Sequence, residues 1–188
     1  MLKSEIRSLY KEKRSRLSPN ELERISAQVQ KLVRDSFSFK GKYVSLFLPI
    51  ERQNELQTYG ILEDISQNEG YPVVAKSNFS DLTMDLFLFE TQSQLKLNNY
   101  GIPEPINGVE IQVSQLDFVF VPLLGIDSNG YRVGYGKGFY DRLLACCKPE
   151  CLFIGLHLFD EFISIDDLHP KDVALHMCIT PKGNYDFR

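Results

Sequence analysis

Between Gly125 and Leu144 the chain reads GIDSNGYRVGYGKGFYDRLL. Gly134, Gly136 and Gly138 alternate with other residues there. Lacking a Cβ, glycine takes positive φ freely and lets a ligand approach the backbone N–H groups. Arg132 and Lys137 add fixed positive charge, and Asp141 adds a hard oxygen ligand just beyond them. Backbone donors, cations and a carboxylate in this register point to a nucleotide phosphate with its magnesium. Two better-known phosphate loops do not fit. A Walker A loop needs Ser or Thr where Gly138 stands and an early glycine where Tyr131 stands. A dinucleotide-binding loop begins directly after its strand and spaces its last glycine three residues on. This one begins well after Val121 and reads Gly-x-Gly-x-Gly. A tight surface loop is the other reading, since glycines commonly mark turns.

The elements that must hold this loop are legible on either side. Asp117-Phe-Val-Phe-Val-Pro122 reads as a buried strand; Phe139, Leu143 and Leu144 predict a helix over 139–147 that ends near Pro149. Residues 2–16 predict another helix, with Leu2, Ile6 and Leu9 on one face and Lys3, Arg7, Lys11 and Arg14 beside it. That basic row is either a solvated stripe or a clamp on a polyphosphate. Ser18-Pro19-Asn20-Glu21 opens a third helix, with Ser as cap, Pro in the first turn and Glu closing a capping box. Tyr43–Leu48 reads as a strand stopped by Pro49, and a loop then leads to a helix with Leu56, Tyr59, Leu62 and Ile65 inward and Gly70 as its stop. Pro72–Lys76, Met84–Phe89, Cys151–Leu156 and Met177–Thr180 are further strands. Helices first, then strands alternating with helices, predict an α/β fold with a mostly parallel sheet covered on both faces. Glu51 and Glu55 fall near the carboxyl end of the first strand, where ligands gather in open α/β sheets.

A chain of 188 residues suits a single domain over 1–188. The net charge of −4 argues against a broad nucleic-acid surface, so any basic site is local. No stretch approaches the ~20 apolar residues of a membrane span, and the first residues lack the apolar core of a signal peptide. These features predict a soluble, cytoplasmic protein with neither nucleic acid nor membrane as partner, and a monomer is expected. Cys146, Cys147, Cys151 and Cys178 show no Cys-x-x-Cys pairing, and His157, His169 and His176 are scattered, so buried thiols are expected and no zinc site.

Taken whole, the central string resembles the signature of the 5-formyltetrahydrofolate cyclo-ligase (5,10-methenyltetrahydrofolate synthetase) family. That signature is a valine-proline strand end followed by Asp-x-x-Gly-x-Arg-Leu-Gly-x-Gly-x-Gly-Tyr-Tyr-Asp. Here Val121-Pro122 precedes Asp127, Gly130, Arg132, Val133, Gly134, Gly136, Lys137, Gly138, Phe139, Tyr140 and Asp141. Val133 for Leu and Phe139 for Tyr are departures. Gly101-Ile102-Pro103-Glu104-Pro105 resembles the family's Gly-Ile-x-Glu-Pro segment, and the likeness runs nearly end to end. It implies a three-layer α/β sandwich with a mostly parallel central sheet, shared with sugar-phosphate isomerases and CoA transferases. It implies ATP-dependent closure of 5-formyltetrahydrofolate to 5,10-methenyltetrahydrofolate, with Mg²⁺ as cofactor.

The resemblance also implies roles. Lys3 and Arg7 stand at the family's Lys-x-x-x-Arg spacing and would hold ATP phosphates, leaving Lys11 and Arg14 as surface charges. Arg132, Val133, Gly134, Tyr135, Gly136, Lys137, Gly138, Phe139 and Tyr140 would complete the ATP site, with Lys137 and Tyr140 catalytic. Leu48, Glu55 and the loop residues Tyr135, Gly136, Lys137, Gly138 and Phe139 would meet the folate. Glu55, or its competitor Glu51, would read the pterin's N–H and amino groups. Lys76 would meet a folate glutamate or a phosphate. Asp141 and Asp172 would ligate Mg²⁺, though His176 stands where the family carries a second C-terminal Asp. Two other classes remain open: a nicotinamide-dependent oxidoreductase, and a non-catalytic binder of folate or nucleotide.

Overall fold

The computed structural model describes residues 1–188. Helices α1 (Lys3–Ser15) and α2 (Pro19–Ser36) come first. The capping box of α2 forms as its sequence predicts: the Glu21 N–H donates to Ser18 Oγ (3.3 Å) and the Ser18 N–H donates to the Glu21 carboxylate (2.9 Å). Then come β1 (Tyr43–Ser45), α3 (Tyr59–Gln67), β2 (Tyr71–Asn78) and β3 (Thr83–Leu88). A short hairpin of β4 (Leu95–Leu97) and β5 (Pro103–Pro105) precedes β6 (Phe118–Pro122). After it lie the small ladder of β7 (Gly125–Ile126) with β8 (Arg132–Val133), then α4 (Phe139–Ala145), β9 (Leu152–Leu156), β10 (Met177–Thr180) and β11 (Gly183–Asp186).

Seven strands form one sheet in the order β11-β10-β9-β6-β1-β2-β3. The five inner strands run parallel, and the edge strands β3 and β11 each pair antiparallel with their neighbour. Period-two alternation along β6 divides the core. Phe120 joins Val29, Val33, Leu62 and Ile65 on the side covered by α2 and α3, while Val119 and Val121 join Leu143 and Leu144 of α4 on the other. This is the three-layer α/β sandwich that the sequence implied. Helix α1 packs separately, placing Ile6 and Tyr10 against Leu124 and Val133 of the small ladder. Each such fully buried side chain contributes roughly 1.5–3 kcal/mol. No helix is long and apolar enough to cross a membrane.

One strand boundary changes, and strands such as β5 and β11 form where none is predicted. The first strand ends at Ser45 instead of Leu48. Its continuation, Leu46 to Leu48, stays buried, and the Phe47 carbonyl accepts from the Thr58 hydroxyl (2.6 Å). Strand β5 consists of Pro-Glu-Pro, where no strand is predicted; a two-stranded hairpin tolerates prolines that a central strand would not. Strand β11, Gly-Asn-Tyr-Asp, carries no apolar alternation, and none of its residues is fully buried.

Candidate active site

A cavity of about 400 Å³ opens beyond the carboxyl ends of β1 and β6, between the glycine-rich loop and the β4–β5 hairpin. One wall is the loop. Its entrance is fixed by Asp127, whose Oδ1 accepts from the N–H groups of Asn129 and Tyr131 (both 2.9 Å). Gly136 (φ 93°) and Gly138 (φ 72°) then take left-handed conformations that L side chains resist. A Cβ at Gly136 would lie 3.1 Å from the Arg7 guanidinium, which donates from Nε to the Gly134 carbonyl (2.9 Å). Lys137 is exposed on the cavity rim. Tyr140 faces the cavity from the first turn of α4; burial, then the nearby Glu55 carboxylate, push its phenol well above the usual tyrosine range.

Behind the loop, Arg132 is buried. It donates from Nη2 to Asp141 Oδ1 (2.9 Å) and from Nη1 to the Val173 carbonyl (2.5 Å), and the Val173 N–H returns to Asp141 Oδ1 (3.1 Å). Lys3 is ion-paired with Asp172, whose Oδ2 also accepts from the His169 N–H (2.6 Å). Asp141 therefore touches the backbone next to Asp172. In each carboxylate one oxygen carries these bonds and the other has no protein donor. This donor set suits Mg²⁺, which takes one or two carboxylates and fills its remaining positions with phosphate oxygens and water. No cluster of three or more His, Cys, Asp or Glu is assembled that would hold a metal by protein ligands alone.

The opposite wall carries Glu55, only 3% exposed. The Tyr135 hydroxyl donates to its Oε1 (2.6 Å), the Ile50 N–H donates to its Oε2 (2.8 Å), and Arg14 Nη1 lies 3.7 Å from Oε1. Burial is the largest influence and raises this carboxyl; the Tyr135 hydroxyl, Arg14 and the Ile50 N–H pull it back. Leu48 and Phe47 line the floor beside it. At the mouth Phe79 meets Tyr100 (ring centroids 4.5 Å apart) and Phe139 (5.2 Å, edge-on), joining the β2–β3 turn, the hairpin and α4.

Most of the residues singled out in the sequence converge here. Leu48, Glu55, Arg132, Gly134, Tyr135, Gly136, Lys137, Gly138, Phe139, Tyr140 and Asp141 all line the cavity. Val133 is buried beneath the loop against α1, and Arg7 reaches the Gly134 carbonyl from that helix, whereas Lys3 is held by Asp172; Lys3, Arg7 and Asp172 lie outside the cavity lining. Glu51, the competitor of Glu55, is exposed on a 3₁₀ turn outside the cavity. Four readings are corrected. Arg14 is no surface charge: it is 4% exposed and donates to the Leu123 carbonyl (2.7 Å) and the Tyr135 hydroxyl (3.0 Å). Lys11 also lines the cavity. Lys76 does not, because strand alternation gives the cavity Ala75 and Ser77 instead. Cys146 is exposed and Cys147 half-buried, so only Cys151 and Cys178 are the expected buried thiols. His176 accepts the Phe153 N–H at Nδ1 (3.0 Å) and stacks on the Phe153 ring, away from the cavity. Phe79, Ser77 and Arg52 line the cavity without having been anticipated. For Ser77, counting on from Ala75 along β2 was the available signal; Phe79 lies past the strand, in the β2–β3 turn, where no period points to it.

Fold and site together define an α/β enzyme of small-molecule type, its cavity set at the strand ends and flanked by a cationic glycine-rich loop. The sequence model of the 5-formyltetrahydrofolate cyclo-ligase family matches residues 1–181, and the chain belongs to that family. It is accordingly an enzyme of the cyclo-ligase type. It is similar to the 5-formyltetrahydrofolate cyclo-ligase of Mus musculus, 29% identical over 153 residues that cover 78% of this chain and 71% of that protein. The match to the 5-formyltetrahydrofolate cyclo-ligase of Escherichia coli (strain K12) is shorter, 35% identical over 107 residues, covering 54% of this chain and 56% of that one. Among solved structures, that of the 5,10-methenyltetrahydrofolate synthetase of Aquifex aeolicus superposes with a TM-score of 0.82 at 29% identity, covering all of this chain (100%) and 94% of the other.

Proposed function

We propose that this enzyme closes 5-formyltetrahydrofolate to 5,10-methenyltetrahydrofolate at the expense of ATP, releasing ADP and phosphate. The observation that carries this reading is a single cavity in which a cationic glycine-rich loop faces a buried carboxylate. One side suits a triphosphate and the other an amide-bearing heterocycle. A formamide carbon is a poor electrophile and its oxygen a poor leaving group, which is the chemical need for ATP. The formyl oxygen attacks the γ-phosphorus and ADP leaves. N10 then attacks the activated formyl carbon, loses its proton, and phosphate departs as the ring closes. The substrate supplies its own nucleophiles, so the protein's task is positioning and charge neutralisation.

In this reading Lys3, Arg7 and the loop amides hold the phosphates, and Lys137 offsets charge on the group in transfer. Tyr140 keeps its proton, because its pKa is raised, and donates to a formyl or phosphate oxygen. Glu55 accepts from the pterin, while Phe79, Tyr100 and Phe139 enclose the ring system. Asp141 and Asp172 would hold Mg²⁺, whose chemistry is to neutralise phosphate charge.

The test is an absorbance assay for the methenyl product with purified protein, 5-formyltetrahydrofolate and ATP. New near-ultraviolet absorbance that requires ATP is expected. Binding of both ligands without turnover would make the chain a storage or sensing protein. Binding of NADH in preference to ATP would favour an oxidoreductase.

A further inference from the structure

We infer that Arg14 is a positioning residue for the substrate: it keeps the Glu55 carboxylate ionised and aimed into the cavity through the Tyr135 hydroxyl. This rests on the reading of Glu55 as the folate-binding carboxylate. Arg14 is the last basic residue of α1, and its guanidinium lies at the meeting point of three segments. Nη2 is anchored on the Leu123 carbonyl (2.7 Å), just past β6, and Nη1 donates to the Tyr135 hydroxyl of the glycine-rich loop (3.0 Å). The same Nη1 lies 3.7 Å from Glu55 Oε1, on which Tyr135 spends its own proton (2.6 Å). The backbone closes the arrangement, since Asn54, held at positive φ beside Glu55, donates from its side chain to the Arg14 carbonyl (2.9 Å).

A tyrosine hydroxyl has one proton. Without Arg14 as its donor, the bridge would lose its direction and Glu55 would keep only hydrogen-bonding support against burial. A buried carboxylate deprived of its cation takes up a proton more readily. A protonated Glu55 presents one acceptor oxygen and one donor, which no longer matches two pterin N–H donors. The other charged or titratable groups around Glu55 are Tyr140 from α4 and, sharing the cavity, Asp141, Arg52, Arg132, Lys137 and Lys11, whose Nζ lies 5.6 Å from the Tyr135 ring centroid. None of those cations is hydrogen-bonded to Tyr135 or to Glu55.

The experiment compares Arg14→Met, Arg14→Lys and Tyr135→Phe with the wild type in full-length protein. Arg14→Met should raise KM for 5-formyltetrahydrofolate about tenfold, the scale of one lost charge-assisted hydrogen bond. KM for ATP should move by no more than about threefold. Burial already raises the wild-type Glu55 carboxyl, so the folate KM should worsen as pH falls in both proteins, beginning at a higher pH in Arg14→Met. Arg14→Lys should recover part of the loss, and Tyr135→Phe should move the same way by less. A carboxyl-carbon NMR titration of the unliganded protein gives a readout independent of turnover: Glu55 should titrate at higher pH in Arg14→Lys and Tyr135→Phe. An unchanged Glu55 titration, or folate and ATP KM values rising together with an unshifted pH profile, would overturn the inference. If the wild type fails to turn over while the titrations still shift, the substrate reading fails and the hold of Arg14 on Glu55 stands.

Discussion

Two buried ionisable groups, Glu55 and His157, lie in different regions and are treated in opposite ways. Glu55 sits in the cavity wall, where the Tyr135 hydroxyl, the Ile50 N–H and Arg14 converge to support its charge. His157 sits behind α1, fully buried between Tyr10 and Phe159, with ring centroids 5.5 and 5.7 Å away. Its Nε2 meets the Leu124 carbonyl at 2.9 Å, and its Nδ1 has no partner. A carbonyl only accepts, so Nε2 carries a proton, and burial with no acceptor at Nδ1 keeps the ring neutral. Burial pushes its pKa down to about 4. A protein that needs a charge surrounds it with donors; one that needs only volume lets desolvation neutralise it. In the proposed reaction the cavity wall serves chemistry, and the layer under α1 serves packing.

The contrast breaks or sharpens with four measurements. The largest effect is expected at Lys137. It is exposed, so Lys137→Ala should leave the melting temperature nearly unchanged while lowering kcat by about 10²–10³-fold, as for other lost donors to developing charge. Turnover near wild type would remove Lys137 from the proposed transfer step. Next comes His157. Its ordinary pKa of 6.5 is depressed to about 4 in the fold, so the unfolded chain binds a proton that the folded one refuses between those values. Stability should therefore be full above pH 6.5 and fall by roughly 3 kcal/mol on the way down to about pH 4. Urea unfolding of wild type and His157→Phe at pH 7 and 4.5 isolates this share. Equal slopes in the two proteins would show that His157 does not carry it.

A smaller effect separates two glycines of the loop. Gly136 has φ 93° and the Arg7 guanidinium beside it, whereas a Cβ on Gly134 would meet nothing within 4 Å. Gly136→Ala should cost about 1–2 kcal/mol by thermal melting, and Gly134→Ala close to nothing. The smallest change is expected at Glu51, which is exposed outside the cavity. Glu51→Gln should leave the folate KM within about twofold of wild type, as an exposed residue off the site should. A large rise would return the pterin contact to Glu51.

The sequence reached the two regions unequally. The glycine-rich loop is a local feature: Arg132, Gly136, Lys137 and Asp141 lie within ten residues of one another, so their spacing already encodes their convergence. The alternation in Phe118–Pro122 and the apolar faces of α2 and α3 likewise gave the layers. Arg14 was hidden for the opposite reason. Its acceptors lie 109 and 121 residues away, and helical spacing alone cannot separate a solvated arginine from one folded into a cavity wall. His157 offered even less, since its surroundings come from α1 and the segment after β6. The choice between Glu51 and Glu55 depended on a 3₁₀ turn and the positive φ of Asn54, neither announced by any pattern.

The guanidinium of Arg132 ties Asp141 to the carbonyl of Val173, and with it the segment that carries Asp172. In the proposed reaction this sets a sequence of arrival. A divalent ion coming alone would have to share an acid already answered by a resident positive neighbour, and it would be held weakly. Coming with a polyphosphate, it meets that neighbour as an ally, because the same guanidinium helps balance the incoming negative load. The enzyme would thus take up its metal as cargo of the nucleotide instead of storing it.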